Sequence, residues 1–226
     1  MAKLVWDAVG TRYYETGVKQ GVIYELTPEG AYTNGEAWSG LTSVSESPSG
    51  ADETALWADD IKYLSLRASE EFGASIEAYT YPDLLARCDG TAELVSGVVI
   101  GQQTRKPFGF CFRSTLGNDV KSNDYGYKLH LIYNATVSPS ESSYSTINDS
   151  PEANTFSWEM TTTPVAVTGF KPTSRIVIDS TKFVTEAQKD KLKAFEDVLY
   201  GTDEETPRMP LPDEVKTLLT VANAGG

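Results

Sequence analysis

The chain holds one histidine, His130, and two cysteines, Cys88 and Cys111. Nucleophilic catalysis needs a base beside the nucleophile and a third group to orient that base. His130 lies in an alternating, strand-like run, where a lone histidine is more often packed or hydrogen-bonded than catalytic. Cys111 sits in Phe110-Cys111-Phe112 and points away from those rings. Neither cysteine has a Lys or His pattern that favours a thiolate. A closed zinc site takes about four Cys or His ligands, more than the chain contains. Asp59-Asp60 and Glu70-Glu71 are adjacent carboxylates. Neighbours on a strand face opposite sides, so neither makes an acid/base couple. No Asp-x-Asp-x-Asp-Gly calcium loop is present, and Gly101-Gln102-Gln103 is not a phosphate cradle. Two distant carboxylates could still assemble a glycosidase, but nothing in the residues argues for one. No catalytic, metal-binding or cofactor-binding residue is expected.

With the chemistry nearly empty, the elements carry the information. At 226 residues, with net charge −13 and an aromatic share of 11 % that includes 12 Tyr, the chain reads as strand-rich and surface-building. The acidic balance opposes nonspecific nucleic-acid binding, which runs on Lys and Arg against phosphate. Plain solubility is the commoner meaning of such a balance, and a negatively charged wall past which DNA moves without sticking is compatible with it. Met1 to Gly10 has no apolar run long enough for a secretory leader. No stretch approaches the roughly 18 apolar residues of a membrane helix. Two cysteines make no disulfide framework, so folding in a reducing cytoplasm is expected.

Strand-like runs recur between turn residues. They are Gly21 to Leu26, Ala37 to Ser45 after the turn dipeptide Asn34-Gly35, Asp60 to Leu66, Phe72 to Tyr79, Phe108 to Thr115, Gly126 to Val137, Asn154 to Thr163 and Arg175 to Asp179. Alternation puts Phe72, Ala74, Ile76 and Ala78 on one face, with Ser75, Glu77 and Tyr79 on the other. In the same way Phe108, Phe110 and Phe112 share a face, as do Leu129, Leu131 and Tyr133, and Phe156, Trp158 and Met160. Helices are few. Pro82 to Arg87 predicts one or two turns, with Pro first and Gly90 after the end. Thr185 to Tyr200 predicts the main helix, with a Thr185/Gln188 capping box, a Leu192-Phe195-Leu199 stripe and Gly201 as its stop. Pro212 to Val221 predicts a last short helix, and Asn223 to Gly226 a mobile tail.

Glu46 to Glu53, Leu116 to Tyr125 and Ser138 to Ala153 read as long loops, which tend to be functional. No repeat appears and no domain boundary is convincing, the weakest candidate being Thr163-Pro164. Charge is uneven: Glu46 to Glu93 has 11 acidic and 3 basic residues, whereas Leu94 to Asn134 has 2 acidic and 5 basic. Such asymmetry suits head-to-tail contacts between identical subunits, or is scatter on a solvated surface.

Several segments, taken in order, carry a resemblance. They are Ala2 to Val18; Ala37-Trp38, Leu41-Thr42 and Glu46 to Ala51; Glu71 to Ala74 with Glu77 to Asp83; Thr115 to Asp119 with Tyr125 to His130; Asn148 to Glu152 with Thr163 to Gly169; and Tyr200 to Asp203 with Leu211 to Val215. Together they resemble major tail tube proteins of long-tailed, non-contractile, siphovirus-type bacteriophages of Gram-positive hosts, along nearly the whole chain. The resemblance implies a mainly β fold, a two-sheet β-sandwich or barrel with one flanking α-helix and long loops. It also implies hexameric rings that stack into a tube, an inter-ring loop, and an acidic lumen through which genomic DNA passes to the host. A single tail tube domain, 1–226, would end in a short helical or extended extension, 204–226. Its partners would be further copies of itself with tape measure, tail tip and tail terminator proteins. Assembly would occur in the host cytoplasm, with no membrane insertion.

Two sets of site residues are expected. Glu46, Pro48, Gly50, Asp52, Glu53, Leu56 and Trp57 form the inter-ring or inter-subunit loop, with Leu56 and Trp57 as its apolar anchors. Glu70, Glu71 and Glu77 face the lumen. The alternative from another class is a carbohydrate-binding or adhesin β-sandwich with exposed aromatics, although Trp38 and Trp158 read as core.

Overall fold

The computed structural model describes residues 3–147, 149 and 152–221. Its strands are β1 (Tyr13–Leu26), β2 (Tyr32–Trp38), β3 (Leu41–Glu46), β4 (Ser49–Gly50), β5 (Glu53–Ala58), β6 (Ile61–Arg67), β7 (Glu70–Glu71) and β8 (Gly73–Ala78). Helix α1 (Asp83–Cys88) follows. Then come β9 (Ala92–Val95), β10 (Val98–Ile100), β11 (Phe108–Asn118), β12 (Ser122–Val137), β13 (Phe156–Thr162) and β14 (Arg175–Asp179). Helices α2 (Glu186–Tyr200) and α3 (Pro212–Leu219) complete the order. The fold is mainly β.

An eight-stranded antiparallel sheet runs β2-β1-β11-β12-β13-β8-β3, with β14 also on β12. Strand β12 serves two halves. Its Lys128–Ile132 stretch pairs with β14, and Ala135–Val137 pairs with β13. Beyond that change of partner, β13, β8 and β3 fold over the first half, and alternation fills the space between. Phe108, Phe110 and Phe112 of β11, Ala74, Ile76 and Ala78 of β8, and Trp158 and Met160 of β13 form one core with Trp38. The opposite face of the first half gives Cys111, Leu129, Leu131, Tyr133 and Tyr24 to a second core, closed by Leu192, Phe195 and Leu199 of α2. Two cores on either side of one half-sheet follow from two interleaved apolar sets along β11 and β12.

Helix α2 begins where the capping box requires: Thr185 Oγ1 accepts from Gln188 N–H, and Gln188 Oε1 accepts from Thr185 N–H. It stops at Gly201, whose φ is 77°. Helix α3 is anchored by a bidentate Arg208–Glu214 pair at 2.9 and 2.6 Å.

Several expectations need correction. The first strand starts at Tyr13, not Gly21; its polar first half and two bulges around Lys19 hide it from a periodicity reading. The run Ala37 to Ser45 is two strands broken at Ser39-Gly40, with Gly40 at φ 78°. Leu116 to Tyr125 is no long loop: β11 continues to Asn118 and β12 resumes at Ser122, pairing with it across a tight turn. Pro82 caps α1 in extended conformation rather than opening it. Glu46 to Glu53 is not one loop: it holds the end of β3, all of β4 and the start of β5. Hairpin β9–β10 was not anticipated. The tail Asn223 to Gly226 lies outside the described residues.

Candidate functional site

Between β3 and β8 the chain leaves the sheet and returns, forming an arm. Strands β4 and β7 pair at its base, and β5 and β6 pair above them. Gly50 (φ 83°) and Ala51 (φ 59°) turn the chain out of the base. A Cβ at Gly50 would fall 2.5 Å from the Ser69 carbonyl oxygen, so the close approach requires glycine. At the tip, Asp59 and Asp60 have φ of 50° and 61°, the two positive values of a type I′ turn. They are therefore turn residues, not the strand pair the sequence reading assumed.

The arm's register sorts its side chains. Opposed residues share a face, and an irregularity after Leu56–Leu64 leaves Tyr63 as the extra residue. One face carries Glu53, Lys62, Ser65 and Arg67 with Trp57. Glu53 accepts from Lys62 and, at 2.6 Å, from Ser65 Oγ, and Arg67 lies 3.8 Å away. These hydrogen bonds hold the Glu53 carboxyl below its ordinary range. The other face carries Leu56, Ile61, Leu64 and Leu66, all exposed. Trp57 is 70 % and Tyr63 71 % exposed. A two-stranded hairpin with a bare apolar face is marginal alone in water and calls for a partner surface.

Of the expected arm residues, Pro48, Gly50, Asp52, Glu53, Leu56 and Trp57 belong to this hairpin or its base, and all are exposed. Glu46 does not project with them. It ends β3 with its carboxylate turned inward, ion-paired with Arg175 Nη2 at 2.7 Å and lying 3.2 Å from His130 Nδ1.

That contact opens a second constellation. His130 Nε2 lies 3.0 Å from Ser114 Oγ, and its ring stacks on Phe112 at 4.4 Å. Ser114, His130 and Glu46 thus stand in the order of a nucleophile, base and orienting carboxylate. The surroundings assign them another task. Ser114 Oγ donates to Glu15 Oε1 at 2.5 Å, and Lys128 Nζ donates to Glu15 Oε2 at 2.5 Å. Ser114 and His130 are buried, which denies a substrate access. The network ties β3 to β12 and β14 through Glu46, and β12 to β1 through Glu15. It clamps the two halves of the sheet. Spacing alone could not reveal it, because its members come from five strands.

The outer face of β13, β8 and β3 is the third surface. Register places Ser157, Glu77 and Ser43 in one row, and Glu159, Ser75 and Ser45 in the next. Ser43 Oγ donates to Glu77 at 3.0 Å. The two rows are small, hydroxylated and acidic, without a cation. Glu77 lies on this face as expected. Glu71 shares its alternation, whereas Glu70 lines a cleft of about 900 Å³ with Arg67, Lys171 and Arg175 on the other side of the arm's base. Glu159 was missed, although its place between Trp158 and Met160 marks it as outward. The far edge of β3 has no strand partner among the described residues.

The thiols are inert by position. Burial pushes Cys88 up to about 11 and Cys111 up to about 12. Tyr24 hydroxyl lies 3.4 Å from Cys111 Sγ and donates to the Leu199 carbonyl. Trp38 and Trp158 pack edge to face within the core, 5.4 Å apart, and present no free ring for a sugar. Among the described residues no helix is long and apolar enough to cross a membrane.

No family model matches the chain, and no curated protein matches it. Among solved structures it is similar to a chain of the tube-terminating cap of the anti-feeding prophage, at 10 % identity. That match covers 80 % of this chain and 97 % of the other, with a TM-score of 0.39. A chain of the six-fold symmetrised anti-feeding prophage baseplate matches at 9 % identity, covering 77 % and 97 %, with a TM-score of 0.37. A chain of the extended sheath–tube complex of an extracellular contractile injection system, PVC, matches at 11 % identity, covering 77 % and 94 %, with a TM-score of 0.30. At such scores the likeness is too loose to assign a function.

Proposed function

We propose that the chain is a structural subunit of a phage tail tube, of the non-contractile type its sequence resembles. Its 226 residues act as one tail tube domain. Copies join into hexameric rings, and rings stack into a hollow tube that delivers genomic DNA to the host. The observation that carries the reading is the arm: a hairpin with a bare apolar face, held out from the sheet with nothing among the described residues to cover it. An exposed apolar face of this kind marks a contact surface for a partner, here another subunit.

Two further features support it. The free edge of β3 can accept a neighbour's strand, and closing a ring removes that edge. The serine and glutamate rows on the outer face of β13, β8 and β3 suit a lumen wall, because their carboxylates repel phosphate and they carry no cation to bind it. Glu77 and Glu159 would face the channel, with Glu71 near them at the arm's base. Tape measure, tail tip and terminator proteins would set where the tube starts and stops. The subunit would act in the virion tail after assembly in the host cytoplasm.

Negative-stain electron microscopy of the purified chain, over a range of concentration and salt, tests the proposal. Hollow rings or stacked tubes are the expected result. A monomer at every condition, also absent from tails of the particle it comes from, would overturn it.

A further inference from the structure

The arm needs a seat, and its chemistry narrows where that seat lies. Lys62 and Arg67 are both engaged by Glu53. Asp59 and Asp60 at the tip have no ion pair among the described residues, so the arm ends in two uncompensated carboxylates next to an apolar strip. The receiving surface must be basic and partly aromatic, on a chain whose net charge is −13.

One cleft, of about 510 Å³, has that character. It lies between the sheet, at Lys19 of β1, Arg113 of β11 and Tyr127 of β12, and α2, at Lys189, Leu192 and Lys193. Lys19, Arg113 and Lys193 have no ion pair among the described residues, while Lys189 is held by Glu186 at 2.7 Å. The Arg113 guanidinium lies over the Tyr127 ring, 3.4 Å from its centroid, and its Nε is buried without a hydrogen-bond partner. Two carboxylates share the lining. Glu196 has its Oε1 buried without a hydrogen-bond partner, and Asp124 is exposed. Four cations, Lys19, Arg113, Lys189 and Lys193, outnumber the two carboxylates in the lining, and its aromatic floor matches an apolar strip.

We infer that this cleft receives the arm tip of a second copy of the chain, with Asp59 and Asp60 against Lys19, Arg113 and Lys193. The inference rests on the tail tube reading and names the two surfaces that would join successive subunits. The arm leaves the β3–β8 half, whereas the cleft lies on the helix-bearing face of the other half. One copy's arm thus meets another copy's cleft. Tip-to-cleft contact is heterologous, the kind of contact that can repeat from copy to copy into a filament.

Three full-length variants test it. Asp59→Lys with Asp60→Lys reverses the tip, and Lys19→Glu with Lys193→Glu reverses the cleft. Each alone should weaken self-association about ten-fold or more at low salt. Mixed one to one, they restore it, because each tip then faces an opposite cleft, and the difference fades in 1 M salt. The third variant, Asp60→Cys with Lys193→Cys, should form inter-chain disulfides on mild oxidation, with little background from the buried Cys88 and Cys111. A mixture no better than its components overturns the inference. So do tubes that form normally without the trapped pair; then the arm seats elsewhere and the tail tube reading stands. A chain that neither assembles nor crosslinks at its highest soluble concentration sinks both.

Discussion

Replacing Trp57 with Ala separates an assembly residue from a folding residue. Trp57 is 70 % exposed, and its neighbours on that face are the Glu53 cluster, which does not need it. The monomer should lose no more than about 0.5 kcal/mol, a shift of about 1–2 °C in Tm for a chain of this size. In a subunit contact the same side chain would bury roughly 150 Å² of apolar surface. At about 25 cal/mol per Å² that is ~3–4 kcal/mol. Ordering the ring and imperfect packing reduce this to an apparent loss of about 100-fold in association. The assay pairs a thermal melt with sedimentation and electron microscopy of the same sample. The expected variant melts like the parent and stays monomeric at concentrations where the parent assembles. Tubes of normal length and number from Trp57→Ala would refute the reasoning. A melt lowered by 10 °C would show that the ring supports the fold instead.

Phe195→Ala should do the reverse. That ring is fully buried between α2 and the sheet, so about 3–5 kcal/mol should be lost, read as a fall of roughly 10 °C in Tm. Glu15 gives a pH prediction. Partial burial raises its pKa, but hydrogen bonds from Lys128 and Ser114 outweigh that and hold it below the ordinary carboxylate range. Because the folded value is depressed, its contribution is present above that range and is lost as pH falls through the folded value. Glu15→Gln should therefore cost about 0.5 kcal/mol at neutral pH, given its partial exposure, and converge with the parent in acid denaturation curves. Both thiols should resist a thiol reagent at pH 8 in the folded chain and react together on unfolding. Labelling of native Cys88 or Cys111 would contradict their burial.

The fold was legible where one face of a strand is apolar throughout. Phe108, Phe110 and Phe112 announce β11, and Trp158 and Met160 announce β13. Helix α2 was readable to its caps, because Thr185, Gln188 and Gly201 act locally. The first half of β1 was not readable: Tyr13, Glu15 and Lys19 alternate nothing apolar, and pairing with β11 alone makes that stretch a strand. The arm was legible as a place but not as a shape. Pro48 and Gly50 advertise an irregular segment, yet the hairpin depends on a register that puts Leu56 opposite Leu64. The Glu15–Ser114–His130–Glu46 clamp was invisible, since its residues converge only after the sheet has folded over itself.

Strand β12 has a mechanical consequence. It belongs to the first half by its start and to the folded-over half by its end, so no seam of hydrogen bonds alone separates them at that point. Shearing one layer past the other must bend or stretch a continuous covalent backbone. Load applied to the outer face of β13, β8 and β3 passes through that beam into the helix-bearing layer. The chain resists deformation as a two-ply laminate, stiffer than either ply and slow to delaminate.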